Sequence, residues 1–215
     1  LILILHCGTK SLDLAKPKIM GILNTTPDSF SDGGNSYRSG RLDLSLAVAR
    51  AEQMMNDGAS IIDVGGESTR PGAAAVGLGE ELARVVPVIE AITSRLDIVV
   101  SVDSSSPEVI SAAAAAGAGL VNDVRALQKP GALEAAAATK LPVCIMHMQG
   151  QPETMQDAPQ YDDIVVEVNR FFRRRVDDCV QAGIPLSNLI LDPGFGFGKS
   201  LEHNVSMVRQ LRDFQ

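Results

Sequence analysis

Short apolar runs alternate with helical patterns along this chain, and a polar residue follows most of the runs. Buried strands are predicted at 19–23, 60–66, 98–102, 119–124, 142–146 and 189–191. Helices are predicted at 42–57, 80–95, 106–116, 132–139, 162–182 and 201–214. The strands are continuously apolar, which is typical of parallel strands covered by helices. The pattern predicts one α/β domain over residues 1–215, with a hairpin or cap at 1–16.

Local signals mark several of the predicted helix ends. Glycine follows three helices, in DGAS, AGAG and QAGI, and Gly58 is the first of these C-terminal stops. Ser106 and Pro107 form a suitable N-cap and first-turn pair. Pro87 is predicted to bend the helix that contains it.

Two architectures fit an alternation of strands and helices. A doubly wound sheet collects its ligands at one switch point, whereas a (β/α)8 barrel arranges residues from many strand ends around one mouth. Polar residues follow nearly every strand of this chain, which favours the barrel. Only six strand–helix units are visible in the sequence. We therefore expect a TIM (β/α)8-type barrel of which this chain contains the first six units, without the seventh and eighth.

The composition is acidic, with a formal net charge of −7 over 215 residues. That balance argues against a nucleic-acid partner or an anionic membrane surface. The apolar start of the chain is too short to span a membrane and lacks the basic region of a signal peptide. Cys7, Cys144 and Cys179 form no CxxC pair, so neither a disulfide framework nor a zinc site is predicted. We expect a cytoplasmic location.

Polar residues at the strand ends are the first candidates for chemistry: Asn24, Asp63, Asp103, Asn122, Asp123, His147 and Asp192. One acid after a strand is more often a helix cap or a salt-bridge partner than a site residue. Several together are costly to bury unless something pairs with them, and a ligand rich in N–H donors would do so. We take Asp103, Asn122 and Asp192 as candidates to bind a flat heterocycle edge-on. A hydrogen-bond network that joins the strands is the alternative.

Three loops carry further candidates. The loop TTPDSFSDGG follows Asn24 and is rich in carboxylates and hydroxyls. ESTRPG contains Thr69 and Arg70, and this arginine is predicted either to clamp a phosphate or carboxylate or to be a solvated charge. PGFGFGK lacks the spacing of a phosphate loop and predicts a flexible segment whose Phe195 and Phe197 cover an apolar ring.

Two other features favour structural explanations. His147 is predicted to be held by neighbouring backbone rather than to act in catalysis, and no Ser-His-Asp or Cys-His arrangement stands out. The basic run RFFRRR at 170–175 is predicted to be a solvated helix face, with its apolar stripe at a subunit contact.

Six motifs together resemble the dihydropteroate synthase family. In chain order they are MGILNTTPDSFSDGG, IIDVGGESTRPGA, SVDSSSPEV, NDVRAL, PVCIMHMQG and LDPGFGFGK. The resemblance implies a (β/α)8-barrel transferase of folate biosynthesis, commonly a homodimer, that joins a 7,8-dihydropterin-6-methyl diphosphate to 4-aminobenzoate and releases diphosphate. It also implies Mg2+ as the cofactor and sulfonamides as inhibitors that compete with the aminobenzoate.

The resemblance also implies roles for single residues. Asn24 would help to hold Mg2+ and diphosphate, and Asp103, Asn122 and Asp192 would bind the pterin. The loop residues implicated in substrate binding or catalysis are Asp28, Phe30, Thr69, Arg70, Gly196 and Phe197. Asp28 and Arg70 are the catalytic candidates among them.

Two motifs of that family are missing from this sequence, a serine-arginine-lysine-serine loop after the seventh strand and an arginine and histidine after the eighth. We therefore expect this 215-residue polypeptide alone to lack activity. Two alternatives stay open, a non-catalytic pterin-binding fragment and a methyltransferase of a related barrel that binds methyltetrahydrofolate. The loops suited to a diphosphate argue against the methyltransferase, whose donor has none.

Overall fold

The computed structural model describes residues 3–26, 37–38, 41–67, 76–150, 154–156 and 158–214. Its strands are β1 (Ile4–Cys7), β2 (Lys10–Asp13), β3 (Ile19–Asn24), β4 (Tyr37–Arg38), β5 (Arg41–Leu42), β6 (Ala59–Gly65), β7 (Val99–Asp103), β8 (Leu120–Asp123), β9 (Val143–Met146) and β10 (Leu189–Asp192). Its α-helices are α1 (Leu44–Asn56), α2 (Leu78–Thr93), α3 (Pro107–Ala115), α4 (Ala132–Thr139), α5 (Ile164–Gln181) and α6 (Leu201–Arg209).

Six of these strands form one parallel sheet in the order β3-β6-β7-β8-β9-β10. Each strand of this sheet lies beside the sheet strand that follows it in the chain, and the order never reverses. A doubly wound sheet requires a reversal, so that alternative is wrong. The six βα units form part of a (β/α)8-type barrel, as the strand ends predicted.

Alternate side chains of each strand point to opposite faces of the sheet, which divides the core into two parts. One set faces the helices and includes Ile62, Val64, Val100, Val102 and Val143, all at most 1% exposed. This outer core fastens the helices to the sheet and fixes which residues of each strand remain for the inner face.

The hairpin of β1 and β2, here called the hairpin plug, covers the lower part of the inner face. Its contact with the sheet is a cluster of buried residues: Leu5, Cys7, Leu12, Ile61, Val99 and Leu120. Apolar packing therefore fills the inner face near the amino-terminal ends of the strands. The carboxyl ends are left for polar side chains, as is usual in such barrels.

Local sequence signals predict most helix ends well and two poorly. Gly58 follows α1 with φ +109, the backbone conformation that a glycine stop provides. Ser106 precedes α3 but does not cap it, since its hydroxyl donates to Glu81 Oε2 at 3.0 Å. The predicted helix at 201–214 is wrong in length, because α6 ends at Arg209 and a separate 3-10 turn covers Leu211–Asp213.

The basic run on α5 is not wholly a solvated face. Arg175 donates from Nε to the Ala126 carbonyl at 2.9 Å and from Nη2 to the Leu127 carbonyl at 3.3 Å. Both acceptors lie after β8, and their φ values of +52 and +58 are unusual for residues other than glycine. Arg175 thus fastens a strained loop to α5. Separately, no helix within the described ranges has the length and apolarity needed to cross a membrane.

Replacing Gly119 with Ala is expected to displace the hairpin plug. A Cβ at Gly119 would lie 2.6 Å from the Cys7 carbonyl oxygen, a backbone atom that cannot rotate away. We expect the free energy of unfolding in urea to fall by about 1–3 kcal/mol. Gly77→Ala is the matched control, because among the described residues no heavy atom lies within 4 Å of a Cβ there. Equal losses in the two variants would contradict this account of the plug.

Candidate active site

Polar side chains occupy the upper part of the inner face, directly above the hairpin plug. Counting two residues along each strand from the apolar layer places them on the same face. They are Asn24 on β3, Asp63 on β6, Ser101 and Asp103 on β7, Asn122 on β8 and Asp192 on β10. The three residues chosen from the sequence for a heterocycle, Asp103, Asn122 and Asp192, therefore share one face.

The strand register aligns several of these residues in one row. Asn24 pairs with Gly65, Gly65 with Asp103, and Asp103 with Asn122 across adjacent parallel strands. Gly65 leaves room within the row, since a Cβ there would lie 3.3 Å from Asp103 Oδ2 and 3.5 Å from Asn24 Oδ1. The missing side chain gives both oxygens access to the same space.

Asp63 and Ser101 form a deeper layer beneath this row and are 2% and 0% exposed. Asn122 Nδ2 donates to Asp63 Oδ2 at 2.9 Å, which orients the Asn122 amide so that its carbonyl oxygen is left for another partner. Asp63 Oδ1 and Ser101 Oγ make no hydrogen bond of normal geometry to any residue that the structure describes, although the Ser101 hydroxyl is near enough to Asp63 to favour its charged form. Buried polar atoms in that state are typical of sites that bind a ligand or an ordered water.

The acids on the inner face are electrostatically unfavourable without a ligand. Burial is the main cause that raises the pKa of Asp103 well above its ordinary value of 3.8, and the charge of Asp63 adds to it. Burial also raises the pKa of Asp63, against the opposing effect of Ser101 and Asn122. The Cys144 thiol on β9 has its pKa raised by burial and then by the charges of Asp192, Asp63 and Asp103. The acids of three strands therefore act on one region, which favours a ligand that brings N–H donors.

Asp123 lies next to Asn122 but points the other way and has a structural role. Its Oδ1 accepts from the Arg125 N–H at 2.8 Å and its Oδ2 from the Leu127 N–H at 2.7 Å. The Ser105 hydroxyl donates to the same carboxylate. Of the strand-end acids in the sequence, Asp123 is the one that the simple explanation of a loop-stabilising carboxylate fits.

Glu67 begins the ESTRPG loop and is fixed by a bidentate ion pair. Arg125 Nη1 lies 3.0 Å from Glu67 Oε2, and Nη2 lies 3.0 Å from Glu67 Oε1. Both side chains are mostly buried, with 12% and 18% exposed, where such pairs are stronger than at the surface. The start of this loop is therefore attached to the end of β8. Thr69 and Arg70, predicted within the same loop, lie outside the described residues, as do Asp28 and Phe30.

The glycine loop, residues 193–198, is held at several points although its glycine content predicted flexibility. The Gly196 N–H donates to Asn204 Oδ1 at 2.8 Å, and the Tyr161 hydroxyl donates to the Gly198 carbonyl at 2.9 Å. The start of the loop is fixed to the end of β10, because Asp192 Oδ1 accepts from the Gly194 N–H at 2.8 Å. These bonds fix Asp192, the inner-face acid on β10, together with the loop that contains Phe197. A binding site requires a rigid support of this kind.

His147 is a packing residue, as the sequence favoured, and aromatic rings pack against it in addition to its backbone bonds to Asp192 and Lys199. Its ring centroid lies 4.9 Å from that of Phe171, and its Nδ1 has no hydrogen bond of normal geometry to a described residue. Burial, with the charge of Lys199 second, lowers the pKa of His147 to about 3. The imidazole is therefore neutral at ordinary pH. It lines a separate cleft of about 570 Å³ outside the sheet that none of the inner-face acids lines.

The residues do not form a metal cage by themselves. Within the described ranges no group of three or more His, Cys, Asp or Glu side chains could hold a metal ion. Mg2+, however, usually keeps several waters and takes one or two protein oxygens together with substrate phosphates. The amide oxygen of Asn24 beside the space at Gly65 fits that kind of partial site.

Comparison with known proteins agrees with this arrangement. The family described as pterin binding enzyme matches residues 20–215. Dihydropteroate synthase of Escherichia coli (strain K12) is 60% identical over 204 residues, which are 95% of this chain and 71% of that protein.

Solved structures show the same similarity. The Yersinia pestis dihydropteroate synthase in a sulfonamide drug complex has a TM-score of 0.91 at 55% identity, covering 97% of this chain and 74% of that one. The Xanthomonas albilineans dihydropteroate synthase with 4-aminobenzoic acid has a TM-score of 0.90 at 48% identity, covering 100% of this chain and 74% of that one.

Replacing Asp103 with Asn is expected to stabilise the protein while it weakens the site. The raised pKa means that the folded state keeps a proton that the unfolded state loses above about pH 4. The wild type therefore loses stability as pH rises from that value towards the folded-state pKa. We expect Asp103→Asn to gain about 1 kcal/mol in urea denaturation at pH 7 and nothing below about pH 4.

Asp123→Asn is the matched control for this prediction. Burial raises the pKa of Asp123 as well, but this carboxylate accepts two backbone N–H groups and Asn would leave one of them without its acceptor. We expect that loss to outweigh the relief of the buried charge, so the free energy of unfolding should fall by about 1–3 kcal/mol at pH 7. A loss of stability in Asp103→Asn at pH 7 would show that the inner-face acids do not repel one another.

Proposed function

This chain belongs to the pterin-binding enzyme family, and we propose that its inner-face acids and amides bind the dihydropterin in the reaction of a dihydropteroate synthase. That reaction joins a dihydropterin carrying a diphosphate on its 6-methyl carbon to 4-aminobenzoate, giving 7,8-dihydropteroate and diphosphate. The observation that carries the proposal is the row of Asn24, Asp103 and Asn122 above the buried Asp63.

Recognition of the pterin follows from matching donors to acceptors. The edge of the ring carries adjacent N–H groups, and a carboxylate can accept two of them at once. Asp103 and Asp192 supply carboxylates from β7 and β10, and Asn122 supplies its amide oxygen because Asp63 engages the amide nitrogen. The ligand thereby adds hydrogen-bond donors to half-buried acids, of which Asp192 otherwise has the Gly194 N–H as a donor.

The same pairing links binding to the ionisation of the site. Hydrogen bonds from a ligand favour the charged form of a carboxylate. The pKa of Asp103 is high because of burial and neighbouring acids, so a donor-rich ring lowers it on binding and the complex binds fewer protons. Affinity for the pterin should therefore increase as pH rises towards the pKa of the free site.

The chemistry requires departure of a good leaving group and attack by a weak base. The bond between the methylene carbon and the diphosphate oxygen breaks, and the diphosphate leaves with the electron pair. The amine of 4-aminobenzoate forms the new C–N bond and then loses one proton to solvent or to the diphosphate. A strong general base is not needed for this step, which agrees with the neutral, packed state of His147.

The loop residues complete the proposal as far as the sequence motifs allow. Arg70 is assigned to the anionic groups of the substrates, with Thr69 beside it. Asp28 and Phe30 are assigned to a first loop that covers the reacting carbon and excludes water, the competing nucleophile. Gly196 and Phe197 are assigned to the aminobenzoate side, since the glycine loop is fixed next to Asp192.

Asn24 is assigned to Mg2+ because its amide oxygen faces the space beside Gly65. When bound, the ion would neutralise charge on the departing diphosphate. We also propose that the protein is a homodimer and that it is located in the cytoplasm. The three buried free cysteines suit that location because they need no oxidising compartment. Sulfonamides are proposed to compete with the aminobenzoate, as a relative forms a complex with such a drug.

The two alternative functions that the sequence left open, a methyltransferase and a non-catalytic fragment, are not equally supported. The methyltransferase has no support from the relatives and structures described above, which are dihydropteroate synthases. The non-catalytic pterin-binding fragment differs from the enzyme only in turnover. An assay of diphosphate release from the dihydropterin diphosphate and 4-aminobenzoate separates the two, because the fragment would bind the pterin without releasing diphosphate.

Asp192→Ala should weaken pterin binding by about 10- to 100-fold in calorimetry, since a hydrogen bond to a charged group is worth roughly 1.5–3 kcal/mol. Asp177→Ala is the control, because Asp177 is an exposed acid on α5, a helix that packs on the outer core and not on the inner face. Unchanged affinity in Asp192→Ala would refute the assignment of this residue, and equal losses in both variants would point to a general effect of charge.

Chelation should separate the roles of the metal and the pterin-binding residues. In the full polypeptide that carries this sequence, excess EDTA is expected to stop diphosphate release, because Asn24 alone provides too little stabilisation for the leaving group. A dihydropterin without the diphosphate should bind with unchanged affinity, because its acceptors are protein side chains. Full turnover in EDTA, with no further increase when Mg2+ is added, would rule out the magnesium assignment.

A further inference from the structure

Lys199 is a buried cation that the proposed reaction does not use. The residue is 3% exposed, and lysine is rarely buried to that extent without partners. Its Nζ donates to the His147 carbonyl at 3.1 Å and to the Phe197 carbonyl at 2.8 Å. The first acceptor follows β9 and the second lies in the glycine loop after β10. The ammonium group therefore joins two loops at the carboxyl end of the sheet.

The two loops are in direct backbone contact, so the position of one restricts the other. A Cβ at Gly194 would lie 2.1 Å from the His147 carbonyl oxygen, and a Cβ at Gly198 would lie 2.6 Å from the Gln149 carbonyl oxygen. Neither glycine can be replaced without separating the loops. Lys199 directly follows the second of these contacts and bonds to the carbonyl involved in the first.

Asp192 lies inside this junction and depends on it for its orientation. Its carbonyl accepts from the His147 N–H at 2.9 Å, and its Oδ1 accepts from the Gly194 N–H at 2.8 Å. Lys199 donates to the carbonyls of His147 and Phe197 and so joins the same two loops at a second point. A shift of the glycine loop would move the Gly194 N–H and turn the carboxylate.

Charge reinforces the geometry. Burial lowers the pKa of Lys199 to about 8, and the negative charge of Asp192 opposes that decrease. The other titratable side chains at the junction are His147, which burial keeps neutral, and Tyr161, whose hydroxyl donates to the Gly198 carbonyl. The Asp192 carboxylate thus favours the charged form of the Lys199 ammonium.

We infer that Lys199 is a positioning residue, which locks the glycine loop to the loop after β9 and thereby fixes the Asp192 carboxylate for the pterin and Phe197 for the aminobenzoate. The inference rests on the proposed function in two respects, namely that Asp192 contacts the pterin and that Phe197 contacts the aminobenzoate. Its structural part, the dependence of Asp192 on Lys199, can be measured without any substrate.

The first experiment measures hydrogen exchange of the Gly194 amide by NMR in the full polypeptide that carries this sequence. Lys199→Met removes both donated bonds, and we expect the Gly194 amide to exchange at least about tenfold faster while the amides of β7 and β8 are unchanged. Lys199→Gln keeps a shorter donor without the charge, so an intermediate rate is expected, and this variant carries the test if Lys199→Met does not fold. Tyr161→Phe is the control, because it removes a neutral bond to the same loop and should change the rate by less than about twofold.

The second experiment is a double-mutant cycle on pterin affinity, measured by calorimetry. Lys199→Met should weaken binding by about tenfold in the wild-type background and by less than about twofold in Asp192→Asn, because the lysine acts through that carboxylate. A residue that only stabilises the fold would instead give the same loss in both backgrounds.

The outcomes separate the two proposals. An unchanged Gly194 exchange rate in Lys199→Met and Lys199→Gln overturns the positioning role, whether or not the protein binds pterin. Equal losses of affinity in the two backgrounds overturn it as well. Fast exchange at Gly194 in a protein that binds no pterin supports the junction and removes the proposed function instead.

Discussion

Burial of neighbouring carboxyl groups, with repulsion from Asp63 as a second effect on Asp103, is the constraint on which the inner face depends. Asp63 and Asp103 lie close enough that burial and mutual charge both raise the pKa of Asp103. Such an arrangement persists only if the surrounding structure prevents the side chains from moving apart. The parallel register does this, because each acid occupies a strand whose opposite face is packed into the outer core. The site is therefore a strained set of acceptors on a rigid support, suited to a ligand that supplies donors.

The acids outside the inner face show the opposite arrangement. Glu81 accepts from the hydroxyls of Ser104 and Ser106 at 2.6 and 3.0 Å, and Glu67 is paired with Arg125. Their partners belong to the chain itself, so their charges stabilise loops in every state. Asp63 Oδ1, by contrast, has no partner of normal geometry in the described part of the chain. The difference between satisfied and unsatisfied carboxylates distinguishes the support from the site more clearly than burial does.

Much of this arrangement could be predicted from the sequence, because apolar runs mark strands and polar residues mark their ends. The period of two places Asp103, Asn122 and Asp192 on one face once the register is known. Asp63 was among the strand-end acids but was not chosen for the heterocycle, and Ser101 was overlooked. Both lie one layer deeper, and only the hydrogen bond from Asn122 to Asp63 reveals the role of that layer. That bond crosses from β8 to β6 over the intervening β7, so no signal within one strand could have shown it.

Loops proved harder to predict, since their contacts join residues far apart in the chain. Glycine content predicted a flexible segment at 193–198, yet three of these glycines have positive φ and two of them meet the loop after β9 at distances that no side chain would allow. Glycine here permits close contact rather than motion. The same reasoning explains the buried lysine, because two backbones in contact leave carbonyl groups that helices and strands do not satisfy. A long side chain with several donors can reach both carbonyls, and placing its charge near Asp192 offsets part of the free-energy cost of burying it.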